Sequence, residues 1–209
     1  MVIDLHVHTT PLSNCSVMEP AEAIDQAKQL GLDGICFTEH NRIWDADAIA
    51  ELRKEHDFLV LRGMEINTVE GHVLSFGIYK DITSLISITE LQHLVNPGEK
   101  VLIAAHPFRD SILSDSSILG LTVEQGSQKS LLQQLDIVEA YSGWMTDRQI
   151  EFTVEVSKKL NLRIVGGSDA HHAREMGRCV TYFERDIHNE TELLRELKAG
   201  RYTAGYFRR

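Results

Sequence analysis

Val2-Ile3-Asp4-Leu5-His6-Val7-His8 reads as a β-strand whose alternation places Asp4, His6 and His8 on one face and Ile3, Leu5 and Val7 on the other. A face with two imidazoles and a carboxylate is expensive to bury, because each polar group left unpaired in apolar surroundings costs on the order of 1–3 kcal/mol. A divalent cation would compensate that cost; a strand face turned to water would avoid it. What the rest of the chain brings to this strand decides between the two.

Beyond it, strands and helices alternate. A mostly polar loop over 9–18 leads to Pro20, which opens a helix over 22–30 with Ala23, Ile24, Ala27 and Leu30 at helical spacing and Gly31 as its stop. Residues 34–38 form a buried strand that ends at Glu39-His40-Asn41. A helix over 45–55 precedes a strand over 58–62, which leads into Gly63-Met64-Glu65-Ile66, and 72–78 is a further strand. Ser87 and Glu90 make a capping box for a short helix ended by Asn96-Pro97-Gly98. The strand over 100–105 runs into His106-Pro107. Residues 109–128, rich in Ser and Asp, are expected to form a long loop with at most a short helix, placed to cover a site. Strand 135–141, helix 147–160 and strand 162–167 lead to Ser168-Asp169-Ala170-His171. A short strand over 179–183 follows, and Asn189, with Glu192 three positions on, caps a closing helix stopped by Gly200.

Repeated strand-helix alternation implies parallel strands with right-handed crossovers, arranged as an open doubly wound sheet or as a barrel. His40, Glu65, His106, and Asp169 with His171, fall at the carboxyl ends of expected strands, and His72 falls at the start of one. A β/α barrel gathers those ends on one face, where such folds place their chemistry. A single-domain α/β barrel over residues 1–209 therefore unites them most economically.

Composition narrows the function. The 209 residues are 43% hydrophobic and 25% charged, which suits one globular domain. A formal charge of −10 argues against a long nucleic-acid partner, since that binding needs clustered Lys and Arg. It leaves room for a small anionic substrate, because bound metal supplies positive charge locally. No apolar run of about 18 residues is present, so no membrane span is expected. The chain enters its first strand without a basic and apolar leader, so a cytoplasmic location is expected. The three cysteines are far apart and lack C-x-x-C spacing, so neither a disulfide framework nor a thiolate zinc site is indicated. Cys36 and Cys179 belong to apolar strands; Cys15 lies in the loop after the first histidines, within reach of the site.

The chemistry-bearing set is His6, His8, His40, Glu65, His72, His106, Asp169 and His171. A lone strand-end histidine is usually satisfied by a backbone carbonyl. Eight imidazoles and carboxylates, most at the same structural position, are poorly explained one at a time. His56, His93 and His188 fall in helical or loop contexts without an assigned role, and His172 is read as facing solvent.

The motifs Asp4-Leu5-His6-Val7-His8-Thr9, Thr38-Glu39-His40-Asn41, Gly63-Met64-Glu65, Glu70-Gly71-His72, Ala105-His106-Pro107 and Gly167-Ser168-Asp169-Ala170-His171 occur in that order over nearly the whole chain. In them the chain resembles the polymerase and histidinol phosphatase (PHP) family. The resemblance implies a distorted seven-stranded β/α barrel that holds two or three divalent metal ions and hydrolyses phosphate esters. It implies one metal at His6, His8, Glu65 and Asp169. A second belongs at His72 and His106, with Glu65 bridging, and a third at His40 and His171. Mixed imidazole and carboxylate donors suit zinc, manganese or iron.

Two positions depart from the family pattern. Where an Asp or His usually serves the third metal, this chain has Ser13-Asn14-Cys15, with Asn14 a neutral and weaker ligand. Glu39 stands in a motif that more often reads Thr-Asp-His, and is expected to support a ligating imidazole from behind.

Two metals roughly 3.5–4 Å apart would activate water and neutralise phosphate oxygens, so that no nucleophilic Ser or Cys is needed. Arg109, with Arg42 and Arg178 behind it, is the expected cation for a phosphate oxygen, and His171 or His8 the expected proton donor to the leaving group. The leading expectation is a phosphoesterase acting on a small phosphorylated metabolite or nucleotide. A nuclease or phosphatase acting on short oligonucleotides or nucleoside bisphosphates stands second. A non-catalytic metal-binding regulatory module is the reading of another class.

Overall fold

In the computed structural model, which describes residues 1–94, 96–109, 111 and 120–207, the chain runs β1 (Val2–Val7), α1 (Pro20–Leu30), β2 (Gly34–His40), α2 (Ala46–His56), β3 (Leu59–Thr68), β4 (Gly71–Phe76), α3 (Ile88–His93) and β5 (Val101–Ala104). It continues through α4 (Val123–Ser127), α5 (Ser130–Gln133), β6 (Ile137–Ser142), α6 (Asp147–Leu160), β7 (Arg163–Gly167), β8 (Cys179–Phe183), α7 (Glu190–Ala199) and β9 (Tyr202–Tyr206). The helices start and stop where side chains satisfy their free ends. Pro20 opens α1 and Gly31, at φ 81°, closes it. Thr146 and Gln149 form a capping box on α6, and Asn189 caps α7.

The described strands form one sheet in the order β7-β6-β5-β4-β3-β2-β1-β8-β9. Strands β1 to β7 curl into a barrel until β7 meets β1. At that seam the Asp169 amide donates to His6 O at 2.8 Å and the His8 amide to Ala170 O at 2.9 Å. Gly167 is needed there, because a Cβ on it would lie 2.5 Å from His6 Cβ and 2.8 Å from His6 N. β8 and β9 extend the sheet past β1, so it has nine strands rather than the expected seven; the strand Tyr202–Tyr206 was not anticipated from sequence.

Parallel alternation is also broken. β3 and β4 are antiparallel, because Val69-Glu70 is far too short for a crossover connection. β3 is longer than expected, so Glu65 sits inside the strand rather than at its end, in parallel register with His40 on β2. β4 then runs back from the barrel mouth, which brings His72 to the same end as His106, and the Ala105 amide donates to His72 O at 3.0 Å.

The barrel interior is filled by Ile3, Leu5, Cys36, Leu61, Leu74, Ile103, Ile137 and Val165, closed off by Leu193 and Leu197 of α7. Each such side chain contributes about 1.5–3 kcal/mol on burial. Outside, α1 and α2 cover Val7, Ile35, Phe37 and Val60, and α3, α5 and α6 cover Ile66, Val73 and Val138. Cys36 and Cys179 are core residues, as expected. Of the expected loop over 109–128, residues 110 and 112–119 lie outside the described residues, and α4 is its short helix. No described helix is long and apolar enough to cross a membrane.

Candidate metal centre

β1 carries its polar groups inward by means of a bulge. Its pairing with β2 steps from Asp4 opposite Ile35 to Val7 opposite Phe37, so Leu5 and His6 together face the single residue Cys36. Below the bulge Ile3 and Leu5 fill the barrel; above it Val7 packs outward against α1, and His6 and His8 point into the mouth. Asp4 is thereby separated from the histidines whose face it was expected to share. It accepts from the amides of Ser168 at 2.8 Å and Gly177 at 3.0 Å, and burial pushes its carboxyl up to about 6.

His6, His8, Glu65 and Asp169 converge, all of them buried. Their facing atoms form a tight set. His6 Nε2 and His8 Nε2 are 3.0 Å apart. His6 Nε2 lies 3.5 Å from Glu65 Oε2 and 3.4 Å from Asp169 Oδ1, and His8 Nε2 is 3.2 Å from each of those oxygens. A tetrahedron of zinc-type bonds of 2.0–2.1 Å has edges of about 3.3–3.4 Å, so the donors fit around one cation. Asp169 Oδ1 is moreover buried without a hydrogen-bond partner among the described residues, which a cation would remedy.

Glu65 joins this set to a second. While Oε2 faces His6, His8 and, at 3.0 Å, His40 Nδ1, its other oxygen, Oε1, lies 2.8 Å from His72 Nδ1 and 2.9 Å from His106 Nε2. A third group gathers at the rim: His8, His40, His171 and Cys15 bring one donor atom each within 4.8 Å of one another. All eight residues singled out from sequence therefore meet at the mouth. Asn14, the neutral residue expected nearest the third group, is exposed, and its neighbour Cys15 belongs to the group.

Two of the donors sit on unusual backbone. His106 has φ 27° and Asp169 φ 54°, left-handed values that cost a side-chain-bearing residue of order 1–3 kcal/mol. Both are held by neighbours: the His106 amide donates to Glu139 Oε2 at 3.1 Å, and the Asp169 amide to His6 O.

The buried charges compensate one another. Burial opposes the Glu65 anion, but the charge of His6 and hydrogen bonds from His106, His6 and His72 overcome it and hold its carboxyl well below the usual range. Asp169 is held down in the same way by His6 and His8. Burial disfavours charge on His6, yet Glu139, Asp169 and Glu65 raise its pKa well above the ordinary imidazole value; His8 is raised by Asp169 and Glu65. At the rim burial wins, lowering His40 to about 4 and lowering His171, so both present neutral rings.

A supporting shell fixes the rings. Glu139 Oε1 is 2.9 Å from His6 Nδ1 and orients that ring. Glu39 acts at one remove: His8 Nδ1 is 3.1 Å from Ser13 Oγ, and Ser13 donates to Glu39, which also accepts from Thr9 N, Thr9 Oγ1 and Trp44 Nε1. Each arrangement holds Nδ1 from behind and turns Nε2 toward the Glu65 and Asp169 oxygens. Glu139 and Ser13 were not anticipated; a lone carboxylate at alternating register in an apolar strand was the available signal for the first. The Arg109 guanidinium reaches the site and donates to Asp169 Oδ2, while Gln149 holds its carbonyl at 2.9 Å. Arg42 pairs with Asp81 away from the centre. Arg178 lines a cavity of about 620 Å³ with Arg174, Phe207 and Trp144, whose indole donates to Asp169 O at 2.9 Å. A second cavity of about 410 Å³ opens beside His72, His106 and Lys129.

Comparison with known proteins agrees with the fold. The PHP-associated family model matches residues 151–202. An uncharacterized protein of Methanocaldococcus jannaschii is 30% identical over 117 residues, which cover 52% of this chain and 68% of that protein. Among solved structures, a two-domain protein from Bacteroides vulgatus that contains a predicted PHP-like metal-dependent phosphoesterase superposes with a TM-score of 0.73 at 19% identity, over 99% of this chain. The chain spans 64% of that larger protein. PsfC from Pseudomonas syringae has a TM-score of 0.66 at 19% identity, over 99% of this chain and 91% of its own. An amidohydrolase from Chromobacterium violaceum has 0.56 at 16% identity, over 96% and 97%.

Proposed function

The chain belongs to the PHP family, and from that premise we propose that it is a metal-dependent phosphoesterase acting on a small phosphorylated metabolite or nucleotide. The observation that carries this reading is the shared Glu65 carboxylate, one oxygen toward His6, His8 and His40 and the other toward His72 and His106. A carboxylate facing two donor sets is what adjacent cations require. Bound divalent ions, zinc, manganese or iron by donor type, would supply the Lewis acidity that activates water and neutralises phosphate charge.

The chain's own groups do the rest. His6, His8, Glu65 and Asp169 would hold one ion, and Glu65, His72 and His106 a second. Glu139 and the Ser13–Glu39 relay keep the rings aimed. Arg109 exchanges its contact with Asp169 for a phosphate oxygen once the carboxylate has a cation to bind. His171, neutral through burial and with Nδ1 2.9 Å from Asp169 O, is better suited to offer a lone pair than a proton, and we assign it to ion binding with His40. Trp144, half exposed and edge-on to His171 at 6.5 Å, offers an aromatic surface at the mouth for the organic part of a substrate.

The test is hydrolysis of an aryl phosphate by the metal-loaded chain, with chelator-treated protein as control. A panel of nucleoside phosphates, nucleoside bisphosphates and short oligonucleotides then identifies the substrate class. Activity lost on chelation and restored by metal supports the reading. A fully metal-loaded chain inactive on every mono- and diester points instead to a metal-binding module without turnover.

A further inference from the structure

Cys15 lies at the rim of the mouth, on the tight turn after the first histidines, and has no part in the eight-residue set. Its Sγ is within 4.8 Å of a donor atom of each of His8, His40 and His171. The three rings cluster, with His8 4.5 Å from each of His40 and His171 and those two 6.4 Å apart. His40 Nδ1 lies 3.0 Å from Glu65 Oε2 without forming a hydrogen bond among the described residues. The turn is pinned to the same residues: Ser16 Oγ donates to His8 O at 2.8 Å and to His171 O at 3.0 Å, and the Val17 amide donates to His171 O. Cys36 and Cys179 are buried in the core, so Cys15 has no cysteine beside it to oxidise with.

We propose that Cys15 is a metal ligand, completing with His40 and His171 a rim site of two nitrogens and one sulfur, beside the inner ligand His8, for a borderline-soft divalent ion such as zinc. This rests on the metal-dependent reading above and extends it to a residue that reading does not use. On binding, the thiol proton passes to solvent as the sulfur–metal bond forms. The donor set differs in kind from its neighbours: Glu65 and Asp169 give the inner positions carboxylate oxygens beside imidazole, and thiolate makes the rim position selective for softer ions. The centre thus holds chemically unlike sites a few ångströms apart.

Cobalt reports the sulfur directly, because a thiolate bound to Co2+ absorbs in the near ultraviolet and nitrogen or oxygen ligands do not. The full chain is stripped with chelator, titrated with Co2+ alone, and followed by absorption and by metal content. We expect a charge-transfer band in the native chain and none in Cys15→Ser, which also binds its last equivalent more than about tenfold more weakly, the lower end of what even outer-shell losses cost. Cys15→Asp, which replaces sulfur by oxygen, should keep the last equivalent and lack the band. Far-ultraviolet dichroism confirms that each variant folds. Cobalt bound without the band, or a band that persists in Cys15→Ser, overturns the proposal while the inner sites stand. A chain that binds no cobalt overturns the metal centre itself, and this site with it.

Discussion

Glu139 Oε1 lies 2.9 Å from His6 Nδ1, and the other oxygen of the same carboxylate takes the His106 amide at 3.1 Å. One buried side chain therefore aims a ring of one donor set and fixes the strained backbone of another. Glu139→Gln keeps the shape and removes the charge. We expect divalent-metal affinity to fall about 10–100-fold with the fold intact, measured by metal titration of the stripped chain; unchanged affinity would assign Glu139 a packing role only.

Arg109 is the cation nearest the donors, paired with Asp169. Arg109→Ala is expected to lower kcat/KM on an aryl phosphate by about 10²-fold, the loss seen when a charge-stabilising donor is removed. Arg109→Lys should recover little of it, since an ammonium cannot reproduce the forked contact. Full activity in Arg109→Ala would place the phosphate on Lys129 or on the metals alone.

Gly167 stands where β7 crosses His6. Gly167→Ala places a methyl group 2.5 Å from His6 Cβ, and overpacking of this kind typically costs about 1–3 kcal/mol. Because the atom it strikes belongs to a donor, denaturant unfolding and metal affinity should worsen together. A loss of stability with unchanged metal affinity would show that the seam relaxes without moving His6.

Acid sensitivity has a local origin far from the mouth. Glu196, buried on α7, accepts from Arg201 Nε at 2.7 Å and Nη2 at 2.8 Å and from Arg195 Nε at 3.1 Å. Those bonds, Arg201's foremost, lower its carboxyl from 4.5 to about 2. A carboxyl depressed in the folded state stabilises fully above its unfolded value and loses that contribution as pH falls. The native chain should therefore lose this increment between about pH 4.5 and about 2. Arg201→Gln should be less stable at neutral pH, with the difference closing across that window; a gap independent of pH would mean that the arginine acts through packing alone.

The donors were legible because their types and places recur: His40 ends β2, His106 and Asp169 lie two residues past β5 and β7, and Asp4-Leu5-His6-Val7-His8 announces itself in five residues. The supports were not. Ser13 is one serine in a polar loop, and nothing local marks it as the link between His8 and Glu39. The β3–β4 hairpin could have been read from the short Val69-Glu70-Gly71 connection, but long apolar strands on both sides matched the parallel alternation equally well. The bulge in β1 left no trace at all, since Ile3, Leu5 and Val7 alternate as they would in a regular strand. Only pairing with β2 reveals that they face different layers.

That bulge gives the first seven residues two frames, odd-numbered side chains inward below it and even-numbered ones inward above. Deleting Leu5 would merge the frames into one. Ile3, His6 and His8 would then alternate inward with Asp4 and Val7 outward, so the histidines would keep their place at the mouth and the barrel would lose only the Leu5 side chain. The extra residue thus adds an apolar side chain to the barrel filling directly beneath the donors without turning either histidine away from them.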